Sequence, residues 1–166
     1  MKILVFSDSH GNCANMQKAV DMHPDARYIL HLGDGIDDLD MLKTGGIKTY
    51  TVNGNFEDGF FSAKKGPPFQ CVEIEGKKIF MCHGHRQKVG FGLQNLYYTA
   101  LENGADIALY GHTHVKYNKY TPLEEKELHI FNPGSISRPR DNIYSSYGII
   151  DIQKNGVLLS HGLIKN

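Results

Sequence analysis

The first third of the chain alternates short apolar runs with amphipathic stretches. The apolar runs are rich in β-branched and aromatic residues and end in polar turns, so they predict buried strands. The stretches between them have apolar residues at helical spacing, which predicts helices that cover the sheet. This β-α-β-α-β order is typical of a parallel sheet. The predicted strands are residues 3–7, 28–32 and 47–52, and the predicted helices begin after the capping residue Asn12 and at Ile36.

The rest of the chain is predicted to be mostly sheet. Residues 69–74 and 77–82 flank the dipeptide Glu75-Gly76, which favours a hairpin turn. An apolar stripe over residues 93–101 predicts one further helix. No linker or repeat interrupts the pattern, so we expect one domain over residues 1–166, an α/β fold of mixed sheets with helices outside. Short strands are predicted at 107–110, 117–121, 128–131, 147–152 and 157–163.

Composition and charge exclude several classes of protein. A chain of 166 residues with 40% hydrophobic and 22% charged residues can bury a sizeable core, so it is neither disordered nor a disulfide miniprotein. Lys plus Arg and Asp plus Glu both number 18, which gives no general attraction to nucleic acid or anionic membranes. No apolar run approaches the ~20 residues of a membrane span. The three scattered cysteines lack CxxC spacing and favour the cytoplasm.

Acidic, amide and imidazole side chains follow the predicted strands at their carboxyl ends. Ligands of open α/β sheets bind outside those ends, so we expect these side chains to converge. The mixed nitrogen and oxygen donors of these side chains suit manganese, zinc, iron, cobalt or nickel. The set contains too many histidines for a calcium or magnesium cage. In extended segments residues i and i+2 point the same way, so each Asp-x-His or His-x-His pair is expected to reach a common centre. The residues are Asp8, His10, Asp34, Asn55, His83, His85, His112 and His114.

Each of these motifs also has an ordinary structural explanation. A single Asp-x-His sequence is common, Gly-Asp often caps a helix, the sequence Asn53-Gly54-Asn55 is a turn, and His-x-His is frequent on surface strands. Their joint occurrence after successive strands is what indicates a metal site.

The order of the motifs resembles the signature of the calcineurin-like metallophosphoesterases. The small size and the His83-Gly-His85 sequence are similar to the stand-alone bacterial and archaeal phosphodiesterases of that family. The resemblance implies a four-layer α-β-β-α sandwich with two mixed β-sheets flanked by helices. The matching residues are Asp8 and His10, Gly33 and Asp34, Gly54 and Asn55, His83, Gly111, His112 and His114, and the loop Asn132 to Ser135.

The resemblance also implies a role for each residue. Two divalent ions are expected, with manganese first and nickel, cobalt, zinc, iron or magnesium as alternatives. Water activated by the ions would hydrolyse a small organic phosphodiester, and two dications with two carboxylates leave a formal charge of about +2 to attract it. Asp8, His10 and His114 would bind one ion, Asn55, His83 and His112 the other, Asp34 would bridge them, and Asn55 would also act in catalysis.

The chain departs from the family after Asn55. Many relatives continue with a histidine that is thought to protonate the leaving group, whereas this chain has Phe56, which cannot transfer a proton. We therefore expect good leaving groups to be favoured. His85 is the candidate proton donor, and the alternative is a hydrogen-bonded histidine outside the site. Glu57 is expected to orient a ligating histidine.

Other polar residues are expected to have ordinary roles. Structural or surface positions are predicted for His23, His31, His129 and His161, and a solvated helix-capping face for Asp37, Asp38 and Asp40. Of the arginines that could contact phosphate, Arg86 is nearest to a candidate ligand in sequence, ahead of Arg138 and Arg140.

Three functions compete at this point. The first is a metal-dependent phosphodiesterase, the second a non-catalytic metal-binding scaffold like a retromer coat subunit that resembles these enzymes, and the third a metal-dependent amide or ester hydrolase. The scaffold predicts missing ligand residues, and this chain keeps all seven, which favours catalysis. No groove pattern for nucleic acid is present. We expect a homo-oligomer, because related small enzymes assemble and the chain is rich in aromatic residues.

Overall fold

The computed structural model describes residues 1–59, 62–121, 127–141 and 143–165. Within these ranges ten strands form two five-stranded sheets. The strands are β1 (Lys2–Phe6), β2 (Ala26–His31), β3 (Lys48–Thr51), β4 (Phe69–Ile74), β5 (Lys77–Cys82), β6 (Ile107–Leu109), β7 (Lys116–Thr121), β8 (Leu128–Pro133), β9 (Ser145–Gln153) and β10 (Gly156–Ile164). The first sheet has the order β10-β9-β1-β2-β3 and the second the order β4-β5-β6-β8-β7.

The helices are short. They are α1 (Cys13–Met22), α2 (Asn55–Asp58) and α3 (Gln94–Glu102), with 3₁₀ helices at Ile36–Met41 and Val89–Phe91. The Asn12 side chain accepts a hydrogen bond from the Asn15 amide and caps α1, as predicted. The turn predicted at Asn53 to Asn55 is wrong in one respect, because α2 begins at Asn55. None of the described helices is long and apolar enough to cross a membrane.

The molecule has the four predicted layers. Side chains of both sheets, such as Val5 and Leu30 from the first and Met81 and Phe131 from the second, form a buried core between the sheets. The outer face of the first sheet packs against α1, and the outer face of the second against α3. The α/β sandwich expected from the sequence is confirmed.

The strand directions bring several loops to one edge. Strands β1, β2 and β3 are parallel in the first sheet, and β5, β6 and β8 are parallel in the second. The loops after these strands bond to one another: the Asp8 amide donates to Gly33 O over 3.1 Å, and the Gly111 amide donates to His83 O over 2.9 Å. The His112 amide donates to Asp8 Oδ2 over 3.1 Å and joins the two sheets.

Candidate metal centre

Five of the predicted site residues adopt the left-handed backbone conformation. Asp8, His10, Asp34, His112 and His114 have φ angles between 44° and 66°. Residues other than glycine pay roughly 1 kcal/mol each for this conformation. The expectation of extended Asp-x-His and His-x-His segments is therefore wrong. Strain that is concentrated in the loops of one edge is characteristic of a functional site.

A backbone carbonyl fixes the orientation of His83. Its Nδ1 donates to Leu32 O over 2.8 Å, so neutral His83 has its proton on Nδ1 and a lone pair on Nε2. Nε2 lies 3.2 Å from Asn55 Oδ1, 3.5 Å from Asp34 Oδ2 and 3.8 Å from Asp8 Oδ1. All four atoms are acceptors, and a hydrogen-bonded imidazole turned in this way is typical of a metal ligand.

His114 is held in the same manner. Its Nδ1 donates to Arg138 O over 2.7 Å, and its Nε2 lies 3.1 Å from Asp8 Oδ1. Asp8 Oδ1 is buried and has no hydrogen-bond partner among the described residues, because neutral His114 presents a lone pair to it. Potential ligand atoms of Asp8, His10 and His114 all lie within 4.8 Å of one another. We call these three residues the His114 side.

Asn55, His83 and His112 form a second group, the His83 side. His112 Nδ1 lies 3.0 Å from Asn55 Oδ1, which His83 also approaches. The Asp34 Oδ2 atom is 3.5 Å from His83 Nε2 and 4.0 Å from His10 Nε2, so the Asp34 carboxylate lies between the two sides. His112 is not part of the group that Asp8, His10 and His114 form among the described residues, so the expected common centre of His112 and His114 is not seen there.

The charges within the cluster support one another. Burial opposes ionisation of Asp8, but the nearby imidazoles of His114 and His83 outweigh burial and lower its pKa overall. The Asp8 carboxylate beside it in turn raises the pKa of His114. Burial lowers the pKa of His10 and His112 and so favours the neutral imidazole, the form that binds metals.

Glu57 has a different role from the one predicted. Its buried carboxylate does not orient a histidine; it accepts hydrogen bonds from the backbone amides of Asp34, Gly35 and Gly54, each over 2.7 Å, and from Ile36 over 3.2 Å. Burial opposes its ionisation, but these bonds outweigh burial and lower its pKa. Glu57 thereby joins the Asp34 loop to the start of α2. A Cβ atom on Gly54 would overlap the Asp34 carboxylate, so this contact requires glycine.

The Asp8 loop rests on a chain of hydrogen bonds that begins at a buried histidine. Nδ1 of the fully buried His31 accepts from the Gly33 amide over 3.2 Å, so Nε2 carries the proton and donates to Ser9 Oγ over 3.1 Å. Ser9 Oγ donates to Asp38 Oδ2, which also accepts from the Gly11 amide. Burial lowers the pKa of His31 to about 4. Asp38 is therefore a loop anchor and not part of a solvated helix-capping face.

His85 and Arg86 both face the carboxylate of Asp58. The His85 Nε2 and the Arg86 Nη2 atoms each lie 2.8 Å from Asp58 Oδ2. The His85 ring packs beside His83, with ring centroids 5.4 Å apart, and its Nδ1 is buried without a hydrogen-bond partner among the described residues. Arg86, the arginine preferred for phosphate contact, is instead committed to Asp58 in an exposed ion pair.

A cavity of about 460 Å³ opens over the cluster. The side chains of Arg138 and Arg140 border it on the His114 side, whereas His85 is not among its lining residues. Arg86 was preferred as the phosphate contact because it is nearest to a candidate ligand in sequence. In the folded chain Arg138 and Arg140 border the cavity instead. The cavity is lined by His10, Asp34, Asn55, His112, His114, Arg138, Pro139 and Arg140.

The loop that carries Arg138 is tied to the metal-site loops. Ser135 Oγ and Ser137 Oγ both donate to Asp8 O, over 2.8 Å and 2.9 Å. The side-chain amide of Asn132 donates to Gly111 O over 3.0 Å. The loop that resembles the family motif is thus the structural support of the cluster.

The remaining histidines have the structural roles predicted for them. His23 bonds to the Tyr147 hydroxyl, His129 to the Asn118 side chain, and His161 to Asn132 O. None of these three takes part in the cluster, and their partners lie on neighbouring elements of the fold.

The chain is similar to proteins of one superfamily. Residues 1–155 match the calcineurin-like phosphoesterase superfamily domain. The chain is 29% identical over 174 residues to phosphodiesterase YfcE of Escherichia coli strain K12, covering 91% of this chain and 88% of YfcE.

Solved structures share the fold. A conserved uncharacterised protein from Streptococcus pneumoniae TIGR4, described as a predicted phosphoesterase, is 31% identical with a TM-score of 0.75, covering 96% of this chain and 87% of that protein. Wild-type Vps29 from Entamoeba histolytica, complexed with zinc, has a TM-score of 0.71 at 22% identity, covering 98% and 99% of the two chains. The latter similarity shows the fold alone.

Proposed function

The chain belongs to the calcineurin-like phosphoesterase superfamily, and from this premise we propose that it is a phosphodiesterase that hydrolyses small organic phosphodiesters at a centre of two divalent ions. One observation carries the proposal: acceptor atoms of Asp8, His83 and His114 face one another in a buried cluster, and no donor of the described residues lies between them. Such an arrangement is stable when cations occupy the space between the acceptors.

The residues fit two divalent ions. Asp8, His10 and His114 would hold one ion, Asn55, His83 and His112 the other, and Asp34 would bridge them, as its position between the two sides supports. The mixed set of imidazole, carboxylate and amide donors suits manganese first, with nickel, cobalt, zinc, iron or magnesium as alternatives. Bound ions of this kind lower the pKa of water and stabilise the charge that develops on a phosphoryl group.

The protein residues contribute charge, orientation and protons. The Leu32 and Arg138 carbonyls hold His83 and His114 with their Nε2 lone pairs turned inward, so no reorganisation is needed when the site fills. Asn55 Oδ1 lies between His83 and His112 and would also help to position the phosphoryl group. No side-chain nucleophile is required.

His85 remains our candidate for the proton donor. Asp58 accepts a hydrogen bond from His85 Nε2 and orients the ring, and the Nδ1 atom of His85 is buried without a hydrogen-bond partner in the described part of the chain. Because Phe56 occupies the position after Asn55, His85 is the histidine beside the His83 side that is left for this role. A donor role predicts that His85→Ala slows a phenyl ester more than a 4-nitrophenyl ester, whereas a purely structural role slows both equally.

A non-catalytic scaffold is the alternative. It is favoured by the similar fold of Vps29. Against it stand the complete set of seven candidate ligands and the open cavity above them.

The test is hydrolysis of bis(4-nitrophenyl) phosphate and 4-nitrophenyl phosphate by metal-stripped protein. Manganese, nickel, cobalt, zinc or magnesium is added back, with His83→Ala as the test variant and His129→Ala as a matched histidine control outside the cluster. We expect a transition metal to restore diester hydrolysis in the wild type and the control, and not in His83→Ala. Stoichiometric metal binding without hydrolysis by any ion would favour the scaffold.

A further inference from the structure

Two arginines lie beside the metal cluster without acidic partners. Arg138 and Arg140 are exposed and border the cavity, and neither forms an ion pair within the described part of the chain. The nearest acid in sequence, Asp141, is bonded instead to Lys116, with its Oδ2 atom 3.0 Å from Lys116 Nζ. The two guanidinium groups are therefore available to a ligand that enters the cavity.

The backbone places both arginines on the His114 side. Arg138 O accepts the hydrogen bond from His114 Nδ1, and the Arg140 amide donates to His114 O over 3.0 Å. The Arg138 amide donates to Ser135 Oγ over 2.7 Å, and Ser135 is itself bonded to the Asp8 loop. The backbone at both arginines is thus hydrogen-bonded to the loops that form the cluster.

The acids around the cluster are committed to other partners. Asp38 bonds to Ser9 and Gly11, and Asp37 to Ser62 and the Lys64 amide. None of these contacts neutralises the two arginines. With two dications, two carboxylates and two guanidinium groups, the cavity has a formal charge of about +4, more than a monoanionic diester compensates.

We propose that Arg138 and Arg140 form an anion subsite on the His114 side, and that preferred substrates are phosphodiesters with a second anionic group on the part not released. The proposal rests on the phosphodiesterase function proposed above. Planar guanidinium groups pair with carboxylates and phosphates through two parallel hydrogen bonds, so either group satisfies the subsite.

Two matched substrates test the subsite. 4-Nitrophenyl 2-carboxyethyl phosphate and 4-nitrophenyl propyl phosphate have the same leaving group and chain length and differ in one charge. We expect the wild type to prefer the carboxylated diester in kcat/KM, and R138Q/R140Q to lose about tenfold of that preference. Arg27→Gln, which removes an exposed arginine on β2, serves as the charge control and is expected to keep the wild-type preference.

A binding measurement separates this proposal from the proposed function. Calorimetry of manganese-loaded protein compares 3-phosphonopropionate with propylphosphonate, which are not hydrolysed. The subsite is supported if the wild type binds 3-phosphonopropionate more tightly than propylphosphonate and R138Q/R140Q reduces this preference about tenfold. This result would support the subsite even if no diester is hydrolysed. Equal binding of the two phosphonates by the wild type, or an unchanged ratio in R138Q/R140Q, overturns the subsite while diester hydrolysis stands.

Discussion

The His114 side and the His83 side of the cluster are supported in different ways. The Asp8 loop of the His114 side rests on His31, a buried neutral imidazole, and on the hydroxyls of Ser135 and Ser137. The His83 side rests on Glu57, a buried carboxylate that holds four backbone amides. The support of one side therefore depends on a group staying uncharged, and that of the other on a group staying charged.

The surroundings of the two sides also differ. Two arginines that form no ion pair with any described acid border the His114 side, whereas Phe56 and the His85–Asp58 pair lie next to the His83 side. We infer that the His114 side binds the anionic group of the substrate and that the leaving group lies at the His83 side. The two sets of ligands expected from the family resemblance therefore lie in two distinct environments.

Asp34→Asn tests the carboxylate that the two sides share. We expect it to have the largest effect of the substitutions considered. Loss of the carboxylate that faces both His10 and His83 should lower diester turnover about 1,000-fold, since metal ions supply several kcal/mol of transition-state stabilisation. Turnover of bis(4-nitrophenyl) phosphate measures the loss, with Asp25→Asn, an exposed aspartate, as the control. Turnover within tenfold of wild type would show that the sides do not depend on Asp34.

Glu57→Gln tests the charged support. The amide retains one acceptor oxygen and places an N–H₂ group against backbone donors, so we expect the free energy of unfolding to fall by roughly 3 kcal/mol. Urea denaturation measures the loss, and Glu73→Gln at an exposed position of β4 is the matched control. Equal stabilities of the two variants would contradict the role of Glu57.

His31→Asn tests the neutral support through pH. The unfolded chain binds a proton on His31 near pH 6.5 and the folded chain only near pH 4, so the stability that neutral His31 contributes is present above pH 6.5 and is lost as the pH falls toward 4. Between about pH 7 and about pH 5 the metal-free wild type should lose about 2 kcal/mol more than the variant. Asparagine keeps an acceptor for the Gly33 amide. Parallel pH profiles of the two proteins would contradict a neutral His31.

The fold was largely predictable because its elements follow local rules. Residues 69–74 and 77–82 were predicted as a hairpin from their apolar pattern and the Glu75-Gly76 turn, and both strands have those bounds. The positive φ angles of Glu75 and Gly76 are those that such a turn requires. The sandwich follows, since the central strands of both sheets bury their apolar side chains between the sheets.

The environment of the site was less predictable because it depends on contacts between distant residues. The orientation of His114 is set by a carbonyl 24 residues away, and Glu57 meets amides more than 20 residues away. No local pattern indicates these bonds, nor the left-handed backbone at Asp8 and Asp34. The single domain over residues 1–166, the cytoplasmic location and the homo-oligomer stay predictions.

The number of manganese ions bound to each chain tests the two-sided centre most directly. Equilibrium dialysis of metal-stripped protein, followed by electron paramagnetic resonance, measures the number and whether the ions are magnetically coupled. We predict two coupled ions per wild-type chain, and loss of coupling in Asp34→Asn. A single uncoupled ion in the wild type, or magnetic coupling that persists in Asp34→Asn, would contradict the account.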